Sequence, residues 1–250
     1  MEKTYTKNFP LYTFDVDSEG KAHLPVLLNF LQEAARDHAA LLKVSIFDLL
    51  DRGLTWILSR YHIRIPRYPS MGDEIEVTTW PSGKKGVFAL RDFDVRDGAG
   101  RLLLEATSSW LVITLDGKQP VKMDTVFLDG HILEKRAVED AFGRLEGPSR
   151  ADFEAAFRVR RTDIDFNRHV NNVSYIDWAI EGMPEDILRT KRPSEVEIVY
   201  KAETLYGDEV LTRVEFPVPG GSDYLHDIIN RKTGAELARL RSKWDEEDDR

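Results

Sequence analysis

The chain has no cysteine. That excludes disulfides, thiolate metal sites and a thiol nucleophile, and it fits a reducing cytoplasm. No apolar run approaches the roughly 18 residues that a membrane-spanning helix needs. The opening stretch "MEKTYTKNFPLYTF" has neither the basic-then-apolar order of a signal peptide nor the Arg- and Ser-rich make-up of a transit peptide, so a soluble, cytoplasmic protein is expected. There is no Gly-x-Ser-x-Gly elbow: "GGSDY" at Gly220 to Tyr224 lacks the pattern and reads as a turn. Positive charge is also in deficit, with 35 Lys and Arg against 44 Asp and Glu and a net charge of −9. This argues against general nucleic-acid binding, which requires a basic surface. Part of the acidic excess is the run Asp245 to Asp249, expected to be a frayed, solubilising tail.

What is present is a pattern stated twice. "RYHIRIPRYPSMGDEIEVTTW" (Arg60 to Trp80) reads like "SEVEIVYKAETLYGDEVLTRVEF" (Ser194 to Phe216), both alternating strands around a Gly-Asp-Glu turn. Further on, "RDGAGRLLLEATSSW" ending at Trp110 matches "RKTGAELARLRSKW" ending at Trp244, with Gly100 and Gly234 in the hairpin turns. The two displacements are 135 and 134 residues. Such nearly equal spacing marks an internal duplication.

Each copy is preceded by a helix candidate. Leu24, Leu27, Leu28, Leu31, Ala35, His38 and Leu42 recur at helical spacing on one face, with Pro25 tolerated in the first turn. In the second half Val173, Ile176 and Ile180 do the same after Asn171-Asn172, which are good helix N-caps. A helix with a broad apolar face followed by a half-buried antiparallel sheet is most economically buried by curling the sheet around the helix. The expected architecture is α+β, with units at 1–130 and 153–250 and a charged joining segment at 131–152. The exposed sheet edges of such a unit call for a partner. The second copy could supply it, so the chain is expected to be a monomer with an internal pseudo-dimer, or a homodimer.

The densest polar stretch is "RRTDIDFNRHVNNVSYIDW", Arg160 to Trp178. Asp165, Asn167 and His169 stand at i, i+2 and i+4, which in an extended segment places all three on one face. They precede a helix start, where free N–H groups and the helix dipole favour negative charge. A carboxylate orienting an imidazole beside oxyanion donors is a hydrolytic arrangement. The same spacing also suits a polar loop whose Asp and Asn cap turns. The first half has "DSEGKAHLPVLL", which keeps Asp17 and His23 at a different spacing; His23 is expected only to start the helix.

"DIDFNRHVNNVSYIDW" closely resembles the signature of acyl-acyl carrier protein thioesterases. "LPVLLNFLQEAARDHA", "LTWILSRYHIRIPRYPSMGDEIEVTTW" and "RDFDVRDGAGRLLLEATSSWLVI" are similar to that family's first helix and sheet. The resemblance implies a tandem double hotdog fold. It also implies hydrolysis of the thioester that joins a fatty acyl chain to the phosphopantetheine arm of acyl carrier protein, the expected partner. Neither cofactor nor metal is implied. Carried over position by position, the catalytic residues are Asp165, Asn167, His169 and, from "YKAETLYGDEV", Glu203. Many plant members place a cysteine after that glutamate; this chain has Thr204.

Without a thiol, direct attack by water is favoured. Glu203 and His169 are expected to position and deprotonate the water, which of them is the base staying open. Asp165 is expected to orient His169 or its neighbours, and Asn167 to hold water or the substrate carbonyl. Backbone N–H groups at the following helix start are candidate oxyanion donors. In the family the first unit shapes the acyl pocket, making Leu27, Leu28, Leu31, Trp56 and Leu58 the candidate lining. Lys84-Lys85, Arg160-Arg161 and Lys191-Arg192 are basic pairs available to an acidic carrier. Competing readings are an acyl-CoA thioesterase on the same fold and an acyl-binding protein without chemistry.

Overall fold

The structure is a computed structural model and describes residues 3–126 and 129–246. The chain divides into two compact units, Met1–Ala141 and Phe142–Arg250. Among the described residues no helix is long and apolar enough to cross a membrane.

In the first unit β1 (Tyr5–Pro10) leads to α1 (Leu24–Leu41) and the short α2 (Ile46–Leu50). The strands β2 (Leu54–Arg64), β3 (Glu74–Lys85), β4 (Phe88–Asp97) and β5 (Leu102–Thr114) follow. The antiparallel order is β1-β3-β4-β5-β2, and α1 packs on β1 and β3. The helical spacing read from the sequence is the buried face of α1: Leu24, Leu27, Leu28, Leu31, Ala34, Ala35 and His38 are all buried. Pro25 sits in the first turn, where its missing N–H has no intrahelical acceptor to lose. A capping box, Ser45 with Asp48, starts α2.

The second unit repeats the plan. β6 (Phe153–Arg158) precedes α3 (Asn172–Glu181) and α4 (Glu185–Thr190), then come β7 (Lys191–Tyr200), β8 (Glu209–Glu215), β9 (Asp223–Asn230) and β10 (Glu236–Glu246). The antiparallel order β6-β8-β9-β10-β7 matches the first unit strand for strand. Both units are therefore hotdog units, a helix against an antiparallel sheet. Matching side chains repeat too: the indole N–H of Trp110 donates to Ser108 Oγ at 2.8 Å, and that of Trp244 to Ser242 Oγ at 2.8 Å. The second helix is much shorter than the first. It stops at Gly182, where an added Cβ would lie 2.9 Å from the Trp178 carbonyl oxygen, and Pro184 then caps α4.

The joining segment is not a loose tether. In the first unit Lys135 accepts from the Trp80 indole at 2.7 Å, and the fully buried Asp92 accepts from Arg136 Nε at 3.1 Å and Ala137 N at 2.6 Å. In the second unit the Leu145 carbonyl accepts from Arg239, and Glu215 accepts from the backbone and hydroxyl of Ser149. Nor is the acidic end wholly frayed. Asp245 and Glu246 lie in β10 opposite Arg192 and Lys191; Glu247 to Asp249 lie outside the described residues.

Candidate active site

Asp165, Asn167 and His169 do not share one face of an extended strand. Residues 164–170 form a tight turn closed by a bridge between Ile164 and Val170 and by Asp165 N–H donating to the His169 carbonyl at 2.8 Å. Inside it Asp165 Oδ1 accepts from the backbone N–H of Asn167 at 2.8 Å and of His169 at 3.2 Å, and Oδ2 from Asn167 Nδ2 at 3.4 Å. Asp165 thus orients the backbone that carries Asn167 and His169, not the imidazole itself. Short polar residues satisfy such turns through their own side chains, which is why the segment refuses the strand pattern.

The imidazole's partner is Glu203. His169 Nδ1 lies 3.2 Å from Glu203 Oε1, with the two side chains 55% and 49% exposed. Glu203 sits in the loop between β7 and β8, not on a strand, and the neighbouring Lys201 is engaged elsewhere, 2.6 Å from Glu236. An ion pair this exposed contributes at most about 1 kcal/mol to stability. With the hydrogen assigned to Nδ1 and facing the carboxylate, Nε2 is left as an acceptor.

Two residues not marked as candidates in the sequence, Asp163 and Tyr175, hold these loops in place, and a third, Arg168, shapes the turn. The buried carboxylate of Asp163 accepts from Arg160 N at 2.6 Å and Arg160 Nη2 at 3.0 Å, while its carbonyl accepts from Asn171 N at 2.8 Å. Tyr175, buried on α3, meets the backbone of Thr204; its phenol is pushed up to about 12, chiefly by burial, with the Glu203 charge adding to the rise. It therefore stays a protonated donor. Arg168 adopts a left-handed φ of 65° between Asn167 and His169. The signals were present as an extra Asp at i−2 from Asp165 and an aromatic inside the helix signature.

Thr204 is not placed as a nucleophile. Its hydroxyl is buried, donates to Asp208 Oδ2 at 2.9 Å and accepts from Asn230 Nδ2 at 3.3 Å. The start of α3 is also less open than expected. Val173 N–H is capped by Asn171 Oδ1 at 3.0 Å and Ser174 N–H by the Asn171 carbonyl at 2.9 Å, so neither is free for an oxyanion.

The basic pairs fare differently from one another. Lys84 lies 2.6 Å from Asp124, Arg160 is tied to Asp163, and Lys191 and Arg192 begin β7 opposite β10. Arg161 instead stacks over Tyr206, 4.8 Å from the ring centroid. In the first unit Leu27, Leu28, Leu31 and Leu58 are fully buried core residues. Trp56 is half-buried, and its indole donates to the Val44 carbonyl at 2.8 Å, pinning the link between α1 and α2. That interior also holds Arg91, which donates to Thr79 Oγ1 at 3.1 Å and whose pKa burial lowers to about 10.

Two hotdog units of identical strand order, the second carrying an exposed His–Glu pair on an Asp-braced turn, define a tandem hotdog protein. Family models agree: the acyl-ACP thioesterase N-terminal domain matches residues 2–130 and the C-terminal domain residues 146–246. The chain belongs to the acyl-ACP thioesterase family. It is 27% identical to a chloroplastic palmitoyl-acyl carrier protein thioesterase of Cuphea hookeriana, over 96% of this chain and 62% of that protein, so it spans less than two thirds of that relative's length. An acyl-ACP thioesterase structure from Bacteroides thetaiotaomicron superimposes with a TM-score of 0.85 at 27% identity, covering 97% of this chain and 98% of that one. The 12:0-ACP thioesterase of Umbellularia californica shares the fold at a TM-score of 0.88 and 23% identity, covering 99% of each chain.

Proposed function

We propose that the protein hydrolyses fatty acyl-acyl carrier protein to free fatty acid and holo-carrier protein. The observation that carries this reading is the exposed pair His169 Nδ1–Glu203 Oε1 at 3.2 Å, held on a turn that Asp165 braces. Glu203 orients the imidazole and stabilises its protonated form; His169 Nε2 takes a proton from water as the water oxygen attacks the thioester carbon. The Asn167 amide, exposed at the tip of the turn, donates to the carbonyl oxygen as it becomes an oxyanion. Collapse of the tetrahedral intermediate breaks the C–S bond, and the imidazolium returns its proton to the departing thiolate. In this scheme His169 is the base, Glu203 its electrostatic partner and Asp165 a positioning residue.

The first unit, whose α1 buries Leu27, Leu28 and Leu31, is proposed to line the acyl pocket, with Leu58 and Trp56 on β2. Apolar lining suits an acyl chain, since each buried methylene contributes about 0.8 kcal/mol. The test is a hydrolysis assay on acyl-carrier protein and acyl-CoA over a range of chain lengths, with His169→Ala as control. Turnover of carrier-bound substrates that falls about 10²–10⁴-fold in the variant is expected. Wild-type rates in a folded His169→Ala protein would overturn the assignment.

A further inference from the structure

The two units build the same pair of loops and finish them differently. In the first, the turn at 16–22 and the segment at 69–73 are zipped together. Ala22 N–H donates to the Pro69 carbonyl at 2.9 Å, Met71 N–H to the Gly20 carbonyl at 2.9 Å, and Lys21 bridges to Ser70. In the second, the equivalent loops are 164–170 and 204–208. Their equivalence is fixed by shared hydrogen bonds: Gly72 N–H to Leu11 O at 3.1 Å corresponds to Gly207 N–H to Val159 O at 3.0 Å, and Asp73 N–H to Ser70 O at 3.0 Å corresponds to Asp208 N–H to Leu205 O at 3.1 Å. The counterparts of the Ala22 and Met71 bonds, Val170 N–H to the Thr204 carbonyl and Tyr206 N–H to the Arg168 carbonyl, are not made.

The separation opens a groove of about 480 Å³ lined by Arg161, Ile164, Arg168, Leu205 and Tyr206. Its walls continue the two loops that carry the reacting pair, since Arg168 adjoins His169 and Leu205 lies two residues after Glu203. No carboxylate among the described residues pairs with Arg161 or Arg168. Leu205 and Tyr206 stand 65% and 51% exposed. Arg168 moreover holds a left-handed φ of 65° where the first unit has Gly20 at 77°. A side chain there costs roughly 1–2 kcal/mol that a glycine avoids. Two arginines without a carboxylate partner, exposed apolar surface and a left-handed arginine beside the His169–Glu203 pair are hard to explain by stability alone.

We propose that this groove seats the phosphate of the substrate's 4′-phosphopantetheine arm, an inference that rests on the hydrolase reading above. Two guanidiniums suit one phosphodiester, to which arginine forms charge-assisted, often bidentate hydrogen bonds. One methylene beyond the phosphate ester, the arm's quaternary carbon bears two methyl groups, which match the apolar face of Leu205 and Tyr206. Anchoring the arm at its phosphate fixes how far its thioester end reaches along the loops, and so helps to set the carbonyl at His169.

The test compares acyl-4′-phosphopantetheine with acyl-pantetheine carrying the same acyl chain, alongside calorimetric binding of free 4′-phosphopantetheine and pantetheine. Wild type should prefer the phosphorylated substrate by about 10-fold or more in kcat/KM, and the Arg161→Gln/Arg168→Gln double variant by less than about 2-fold. Arg189→Gln, on an exposed arginine of α4, should keep the preference and so control for net charge. Equal kcat/KM for the two substrates in wild type, or a preference that survives in the double variant, would overturn the groove assignment while leaving hydrolysis standing. Selective binding of phosphopantetheine, lost in the double variant, without turnover of either substrate would support the groove and sink the hydrolase reading instead.

Discussion

In the first unit Asp17 Oδ1 accepts the N–H groups of Glu19 at 2.9 Å and Lys21 at 3.1 Å; in the second Asp165 Oδ1 does the same for Asn167 and His169 at 2.8 and 3.2 Å. The correspondence runs further. Asp15 Oδ2 caps Tyr12 N as Asp163 Oδ2 caps Arg160 N, and His23 N–H reaches Asp15 O as Asn171 N–H reaches Asp163 O. One backbone design therefore carries two different sets of side chains. At the positions of Asn167, Arg168 and His169 the first unit has Glu19, Gly20 and Lys21. His23 is the counterpart of the helix cap Asn171, not of His169. A duplicated scaffold can thus keep its turn while the side chains it presents change, because the turn is held by the aspartates.

The severest test of that comparison converts the second turn into the first. Asn167→Glu, Arg168→Gly and His169→Lys together should lower hydrolysis by at least about 10³-fold, with the circular dichroism spectrum and melting temperature retained. Collapse of the fold would show that the two turns are not interchangeable. Glu203→Gln comes next. It should lower kcat by about 10²-fold, roughly 3 kcal/mol of barrier. Thr204→Ala should keep most turnover and lose roughly 1–2 kcal/mol of stability, because its hydroxyl serves Asp208 and Asn230. An acyl group trapped on Thr204 in a mass spectrum would reverse that division.

A third comparison lies in the cores. His226 in β9 faces Leu240 across the ladder, where the first unit has Phe93 facing Ala106. Burial lowers the imidazole pKa from 6.5 to about 3. The folded protein keeps it neutral while the unfolded chain takes up a proton below pH 6.5, so its contribution is complete above 6.5 and is lost as pH falls toward 3. Melting temperatures from pH 7 to pH 4 should decline less steeply in His226→Phe; identical slopes would remove His226 from the account. Smaller still, Asp17→Ala and Asp165→Ala should each cost about 1–3 kcal/mol, since each strands two turn N–H groups. Only the second should impair turnover, as kinetics beside chemical denaturation would reveal. Smallest is Arg168→Gly, expected to raise stability by up to about 1 kcal/mol by relieving the left-handed backbone, read as a shift in denaturation midpoint.

The duplication was legible because the turns that punctuate it demand particular residues. Gly72 and Gly207 sit at φ of 86° and 87°, and Gly100 and Gly234 at 80° and 71°, a region other residues enter only at a cost. The helical face of α1 was legible because burial imposes the 3.6-residue period. The duplicated turn was not. Between it and the Gly-Asp turn the second unit is shorter, so Asp17 and Asp165 are displaced by 148 residues while Gly72 and Gly207 are displaced by 135. Only two aspartates and a set of backbone hydrogen bonds survive to identify it.

From the sequence alone came the two-unit α+β plan and four candidate residues, Asp165, Asn167, His169 and Glu203. Local conformational demands and hydrophobic period are written residue by residue, so one chain can be read for them. Tertiary structure decided that Asp165 braces backbone while Glu203 faces the imidazole. It also decided that Thr204 is tied down, and that the loops joined by backbone hydrogen bonds in one unit meet through the side chains of His169 and Glu203 in the other. Those outcomes depend on which of two loops 34 residues apart, as His169 and Glu203 are, meets the other's side chains. Folding alone settles that, because a side chain's partner is fixed by packing in space and not by its neighbours along the chain.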